Sequence, residues 1–158
     1  MGPGFSILPA TRADLADIAA LFAAYAASLP IDLAYQNFAA ELAALPGAYA
    51  SPDGALLIAR DAAGHALGCV AMRPLEPGIA EMKRLYVIPE ATGHGLGRGL
   101  AEAVAAAARA AGYARMRLDT LASLTAARSL YAAMGFTPIA PYYAGAVPGT
   151  VFYELALA

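Results

Sequence analysis

The sequence predicts an α+β fold in one domain, with a central mixed, mostly antiparallel β-sheet flanked by helices. The chain has 158 residues, a length that suits one domain with a substantial core. Three apolar runs of strand length follow one another in its middle, separated by short turns, which indicates a meander of strands. Strand-like and helical segments then alternate, and no repeat or linker divides residues 1–158.

The first part of the chain predicts one strand followed by two helices. Thr11 and Asp14 form a capping-box pattern that opens the first helix, and Pro30 ends it. Apolar residues recur at helical spacing on either side of Asp17, which favours an amphipathic helix over a membrane span. The predicted bounds are Phe5–Leu8 for the strand, about Thr11 to Ser28 for the first helix and about Asp32 to Leu45 for the second.

The rest of the chain predicts six more strands and two more helices. The turn Ala62-Ala63-Gly64 closes a hairpin, a loop with two prolines spans Pro74–Gly78, and Gly112 and Gly135 each end a helix. The predicted elements are strands Ala55–Asp61, His65–Pro74 and Ala80–Val87, helix Leu96–Ala111, strand Arg115–Thr120, a helix from Ser123 or Thr125 to Met134, and strands Phe136–Ile139 and Thr150–Leu155.

Composition and charge restrict the classes of function. Hydrophobic residues make up 60% of the chain, much of it alanine, and the formal charge is −2 with a pI near 5.6. Without a broad basic surface we expect no nucleic-acid partner, and without a membrane segment we expect a cytoplasmic protein. Cys69 is the single cysteine and is predicted to be a small core residue. His65 and His94 have no metal-ligand companions nearby in the sequence, so no metal site is predicted.

A glycine-rich run between a predicted strand and a predicted helix is the strongest local signal for binding. The run is Thr92-Gly93-His94-Gly95-Leu96-Gly97-Arg98. Glycines let successive backbone N–H groups point into one concavity, and the helix N-terminus adds unpaired donors, so the junction suits a phosphate. It lacks the third glycine of the dinucleotide fingerprint and the Gly-Lys-Ser/Thr ending of a triphosphatase loop. A glycine-rich connection without a ligand remains the alternative.

Four sequence blocks together resemble the GNAT superfamily of acetyl-CoA-dependent N-acetyltransferases. They are Glu81–Pro89, the glycine run, Leu118-Asp119-Thr120, and Ala127–Phe136, in the order and spacing of that family. The last block contains Leu130-Tyr131 and Gly135-Phe136, which match the family's Leu-Tyr, three residues, Gly-Phe pattern. The resemblance covers essentially the whole chain.

The resemblance implies acetyl-CoA as the acyl-donor cosubstrate. The backbone of the glycine run would hold its pyrophosphate, and the backbone of Leu85, Tyr86 and Val87 would bind the pantetheine arm and the thioester oxygen. Two positions depart from the family. Thr92 replaces the usual Arg or Gln, which leaves the work to backbone donors. Leu124 replaces an Asn that faces the pantetheine in many members, with Ser123 as a neighbouring polar group. The implied cofactor-binding residues are Leu85, Tyr86, Val87, Thr92, Gly93, His94, Gly95, Leu96, Gly97 and Arg98.

The resemblance also suggests two catalytic side chains. Tyr131 lies where the family places a phenol near the sulfur and is predicted to be the general acid; a half-buried packing residue is the alternative. Glu81 is predicted to be the base that takes the proton of the amine, directly or through a water. The alternative for Glu81 is a structural charge paired with Lys83, Arg84 or Arg117.

The acceptor is predicted to be a primary amine of a small metabolite or a protein. Tyr35, Tyr142 and Tyr143 are predicted to contact it, although tyrosines at element ends also serve as packing residues. A homodimer formed through the late strands is possible on this pattern. A CoA-binding sensor or structural domain without turnover is the alternative function.

Overall fold

The computed structural model of the protein describes residues 4–33 and 37–157. Within these ranges the chain forms one seven-stranded sheet and four α-helices. The elements are β1 (Phe5–Pro9), α1 (Leu15–Ser28), α2 (Phe38–Ala44), β2 (Ala55–Asp61), β3 (Ala66–Glu76), β4 (Ile79–Val87), α3 (Leu96–Ala110), β5 (Arg115–Leu121), α4 (Thr125–Met134), β6 (Thr137–Ile139) and β7 (Thr150–Ala156). The predicted order of strands and helices is confirmed.

The strand order across the sheet is β1-β2-β3-β4-β5-β7-β6. Every neighbouring pair is antiparallel except β4 and β5, which are parallel because α3 carries the chain back between them. The sheet is therefore mixed and mostly antiparallel, as predicted. The single parallel pair lies at its centre.

The two N-terminal helices differ in detail from the prediction. Residues Arg12–Asp14 form a 3₁₀ turn before α1, in which the Thr11 N–H donates to the Asp14 carboxylate at 2.7 Å, so the capping pair is present. Helix α2 is shorter than predicted, because Asn37 has a left-handed backbone (φ 57°) and the helix begins only at Phe38. None of the helices in the described ranges has the length and apolar character needed to cross a bilayer.

The meander also has longer strands than predicted. β3 continues to Glu76, which pairs with Ile79, so the predicted loop between β3 and β4 shrinks to a tight turn. Pro74 pairs with Ala80 inside this strand, next to a register shift between Pro74 and Glu76. Such an irregularity accommodates a proline that a regular central strand would exclude.

Each face of the sheet carries its own core. On one face α3 packs Leu100 and Val104 against the sheet residues Met72 and Met116. On the other face Ile18 and Phe22 of α1 pack against β2 and β3, and Cys69 is fully buried there as predicted. Strands β2 and β3 thus contribute buried residues to both cores, and the sheet is packed from both sides there.

A substitution of Gly68 in β3 is expected to lower the stability of the fold measurably. A Cβ at this position would lie 2.6 Å from the carbonyl oxygen of Tyr86, a backbone atom of β4 that cannot move away alone. We expect Gly68→Ala to lower the free energy of unfolding by about 2–3 kcal/mol and the melting temperature by about 4–10 °C. Thermal unfolding checks this. Gly97→Ala is the control, because its Cβ would meet its nearest side chains at 3.9 Å and should leave the melting temperature unchanged or higher.

Candidate active site

The two central parallel strands separate soon after they begin. β4 and β5 pair from Ile79 with Arg115 to Glu81 with Arg117, and then their pairing ends although both strands continue. The gap between them, called the cleft below, is bordered by the later part of β4, the later part of β5, α4 and the end of α1. A strand edge released in this way keeps backbone donors and acceptors for an extended ligand.

A β-bulge lies in β4 where it borders the cleft. Between the pairs Ala71 with Lys83 and Cys69 with Tyr86, β3 contributes one residue and β4 contributes two, Arg84 and Leu85. Arg84 has a left-handed backbone with φ 61°, which costs a non-glycine residue about 1–2 kcal/mol. A bulge re-aims the peptide groups of its strand. The segment predicted to bind the pantetheine arm therefore begins with an irregular backbone.

The Arg84 side chain is held by α2. Its Nε and one terminal nitrogen donate to the two carboxylate oxygens of Glu41, both at 2.9 Å, and its guanidinium lies 5.2 Å from the Phe38 ring centroid. The side chains of Arg84 and Glu41 are 3% and 14% exposed. A bidentate pair with so little solvent has a fixed geometry.

The glycine run follows β4 after a 3₁₀ turn, Pro89–Ala91, and leads into α3. Gly93 and Gly95 have positive φ values of 83° and 79°, and a Cβ at either position would meet no atom within 4 Å. Gly95 is the N-cap of α3, so the unpaired N–H groups of the helix begin beside the run. The concave side of this loop is open, as a phosphate site requires.

The side chains of the glycine run mostly have partners within the protein. The Thr92 hydroxyl donates to the Pro89 carbonyl at 2.8 Å and so caps the preceding turn. Leu96 is buried in the core beneath α3, and Arg98 pairs with Glu102 at 2.6 Å along the same helix. His94 is exposed. The structure thus places these residues together at the end of β4, with their backbones available and most of their side chains engaged elsewhere.

Tyr131 extends from α4 into the cleft. Tyr131 is 6% exposed, and its ring packs against Phe136 and Tyr153 at centroid distances of 5.5 and 6.2 Å. Among the residues that the structure describes, none forms a hydrogen bond with its hydroxyl. Burial, with smaller contributions from Tyr25 and Asp119, raises the pKa of the phenol. Tyr131 is thus a neutral donor that faces the cleft.

Glu81 lies at the last position where β4 pairs with β5, and both of its carboxylate oxygens accept hydrogen bonds. Its Oε1 accepts from Arg73 Nε at 2.8 Å, and its Oε2 accepts from the Tyr142 hydroxyl at 2.6 Å. Its side chain is 2% exposed, and its cationic partner is Arg73, not one of the cations named in the sequence analysis. Burial, with Glu81 next, raises the pKa of Tyr142. Tyr142 belongs to the loop between β6 and β7, called the late loop below.

Sequence reasoning missed a second acid beside the cleft. Asp119 on β5 lies 3.4 Å from Lys83 Nζ across the point where the strands separate, and it accepts from the Tyr143 hydroxyl at 2.5 Å. The late loop therefore donates one phenol to each central strand, Tyr142 to β4 and Tyr143 to β5. The signal for Asp119 in the sequence is its place in Leu118-Asp119-Thr120, one of the four blocks that resemble the GNAT superfamily.

The other residues predicted for the site lie in different surroundings. Tyr86 packs edge-on against Tyr25 at 6.2 Å, while Leu85 and Val87 pack toward the α3 core. Leu124 lines the cleft and Ser123 is exposed, so the departure from the family makes this wall apolar. Tyr35 lies outside the described residues. Within the described ranges no cluster of residues suited to a metal ion was found.

Comparison with known proteins gives matches over most of the chain. A model of the Acetyltransferase (GNAT) family matches residues 18–136. A protein of Schizosaccharomyces pombe, named an uncharacterized N-acetyltransferase, is 42% identical over 145 residues, which are 91% of this chain and 89% of the relative.

Two solved structures share the fold at lower identity. A GNAT-family acetyltransferase of Staphylococcus aureus superposes with a TM-score of 0.82 at 17% identity and covers 98% of this chain and 99% of its own. A phosphinothricin acetyltransferase of Sinorhizobium meliloti, solved in complex with AcCoA, has a TM-score of 0.73 at 19% identity, with 97% and 88% covered.

Proposed function

The chain belongs to the Acetyltransferase (GNAT) family, and from that membership we propose that it transfers the acetyl group of acetyl-CoA to a primary amine. The observation that carries this proposal is that β4 separates from β5 after Glu81 and then leads, through its unpaired later part, toward the open glycine run. The first feature offers a strand edge to an extended thioester arm, and the second offers backbone donors to its pyrophosphate. Both lie at the carboxyl end of β4.

The backbone around the cleft suits the two ends of acetyl-CoA. We infer that Gly93, Gly95 and Gly97 hold the pyrophosphate through their N–H groups, and that Leu85, Tyr86 and Val87 bind the pantetheine amides. Leu124 then contacts the pantetheine arm through apolar atoms. A backbone N–H near the bulge would stabilise the oxyanion of the tetrahedral intermediate, a donor worth about 3 kcal/mol in acyl transfer.

Tyr131 is proposed as the general acid. The neutral amine attacks the thioester carbonyl, the carbon–sulfur bond of the tetrahedral intermediate breaks, and the Tyr131 hydroxyl gives its proton to the leaving sulfur. Its raised pKa keeps the proton on the phenol before the reaction, and its hydroxyl faces the cleft without a competing partner among the described residues.

Glu81 is proposed as the final proton acceptor on the amine side. Because Tyr142 occupies one of its oxygens at 2.6 Å, the amine proton passes to the Tyr142 oxygen while Tyr142 gives its own proton to Glu81. This relay leaves no phenolate behind, which the raised pKa of Tyr142 would oppose. Tyr142 and Tyr143 line a pocket with Glu81 that adjoins the cleft at the shared residue Lys83, and we infer that the acceptor amine enters from this pocket.

The relay makes Glu81→Gln a sharp test. An amide cannot take up the proton, so we expect kcat to fall by about 10²-fold while the KM for acetyl-CoA is unchanged. Asp17→Asn is the control, because Asp17 also pairs with an arginine, Arg60, but lies on α1 with half of its side chain exposed. Equal kcat values for the two variants would assign Glu81 a structural role. Thermal unfolding shows whether each variant remains folded.

The overall activity is tested by thiol release with a panel of primary amines. The expected result is release of free CoA from acetyl-CoA that depends on one or more amines and yields the N-acetyl product by mass spectrometry. If CoA binds but no amine in the panel releases thiol, the alternative of a CoA-binding domain without turnover is favoured. If CoA does not bind, both readings fail.

A further inference from the structure

The bulge in β4 combines an unfavourable backbone conformation with a buried side-chain pair. Apart from Asn37, Arg84 is the one residue other than glycine with positive φ in the described chain, and it lies at the edge of the cleft. Strained residues persist only where their surroundings hold them. The Cys69 thiol contacts the Arg84 carbonyl at 3.4 Å, and the side chain leaves the strand toward α2.

Helix α2 is itself well anchored. Phe38 and Leu42 pack against the core on the α1 face of the sheet, which fixes the helix relative to β3 and β4. Glu41 lies between these two residues in sequence and receives both donors from Arg84. The pair therefore joins a rigid helix to the irregular residue of β4 over a sequence separation of 43.

We propose that Glu41 and Arg84 are positioning residues, with the Glu41 carboxylate holding the bulge of β4 in the conformation that aims its backbone at the thioester. The inference rests on the proposed acetyl transfer. It adds that a residue outside the cleft, Glu41 of α2, fixes the backbone conformation of β4 at the cleft. Neither side chain is assigned contact with the reacting atoms. What matters is the backbone at Arg84 and Leu85, since small misplacements of a reacting geometry are costly.

Two double variants separate the backbone from the side chains. Arg84→Gly with Glu41→Gln and Arg84→Ala with Glu41→Gln both remove the ion pair between these two side chains. They differ by one Cβ at a position with φ 61°. Glycine adopts this conformation readily, so the first variant should keep the bulge, whereas alanine is driven back toward an extended backbone.

The expected result is a difference in kcat between the two double variants. The alanine double variant and Glu41→Gln alone should each lose about tenfold or more in kcat. The glycine double variant should recover to within about threefold of the wild type, because glycine does not need the pair to hold its backbone. The affinity for CoA by calorimetry should fall by a smaller factor than kcat in the alanine double variant and in Glu41→Gln, since the glycine run is untouched and only the pantetheine segment adjoins the bulge.

A second measurement does not depend on turnover. Amide hydrogen exchange of residues 82–88 should be faster in the alanine double variant and in Glu41→Gln than in the glycine double variant. Asp17→Asn, which removes an exposed partner of Arg60, should change neither exchange in this segment nor kcat. Thermal unfolding is measured for each variant to show that it is folded. If a double variant does not fold, Glu41→Gln alone tests whether Glu41 holds the bulge.

The outcomes are distinct. Equal kcat and equal exchange in the glycine and alanine variants would overturn the inference, as would wild-type kcat in Glu41→Gln. If the wild type transfers acetyl to no amine, the proposed function fails, and hydrogen exchange alone then confirms or overturns the hold of Glu41 on the bulge.

Discussion

Tyr131→Phe is expected to lower kcat by about 10²–10⁴-fold, the range in which loss of a general acid falls. The ring remains in place, so its packing against Phe136 and Tyr153 is kept and the affinity for CoA should change little. Only the proton for the leaving sulfur is lost. Steady-state kinetics with the amine found by thiol release, together with calorimetric titration of CoA, measures both effects.

Burial affects the pKa of both the proposed acid, Tyr131, and the thiol that it protonates. The pKa of Tyr131 is raised chiefly by desolvation, so the phenol stays protonated as the pH rises through neutrality and beyond its ordinary value. A thiolate leaving into the same cleft is also penalised by burial, as the raised pKa of the buried Cys69 thiol illustrates elsewhere in this protein. Because burial raises the pKa of both groups, the transfer of a proton from the Tyr131 hydroxyl to the leaving thiolate stays favourable. We expect no loss of kcat from Tyr131 titration between pH 6 and pH 9.

Tyr113→Phe is the control for that experiment. The Tyr113 hydroxyl donates to the Asp53 carbonyl at 2.7 Å, beyond the far end of α3 from the glycine run. Its removal costs one partly exposed hydrogen bond, about 1 kcal/mol, and should leave kcat unchanged. Full activity of Tyr131→Phe would show that the acid is another group or water.

Local sequence signals predicted the framework because they act over a few residues. The glycines at 112 and 135 end helices with positive φ, as their sequence context indicated. Alternating apolar residues placed β2, β3 and β4, and the glycine run placed the start of α3 at Leu96. The place of Tyr131 came from the family resemblance of its sequence block, and in the structure its side chain lines the cleft.

The interior of the site could not be predicted in the same way because its contacts join distant parts of the chain. Tyr142 bonds to Glu81 over 61 residues and Arg84 to Glu41 over 43, and no periodicity encodes either pair. The bulge depends on register between two strands, which a single sequence pattern does not specify. Helix α2 was predicted too long for a related reason, since the left-handed Asn37 carries no strong local signal.

Gly95→Ala is expected to weaken CoA binding by about tenfold or more, equivalent to 1.4 kcal/mol or more at 25 °C. Gly95 has φ 79° and space around its absent Cβ, so alanine is opposed by the backbone and not by a clash. Relief of that strain moves the N–H groups at the start of α3 away from the arrangement that suits a pyrophosphate. Calorimetric titration of CoA measures the loss of affinity.

Gly112→Ala provides a matched control at the other end of the same helix. Gly112 has φ 93°, and its Cβ would also meet nothing within 4 Å, so the two substitutions carry a similar backbone penalty of about 1–2 kcal/mol. Both should lower the melting temperature to a similar extent, while only Gly95→Ala should lower the affinity for CoA. Equal affinities in the two variants would reject the glycine run as the phosphate cradle, because backbone geometry is the one property that separates it from an ordinary connection between β4 and α3.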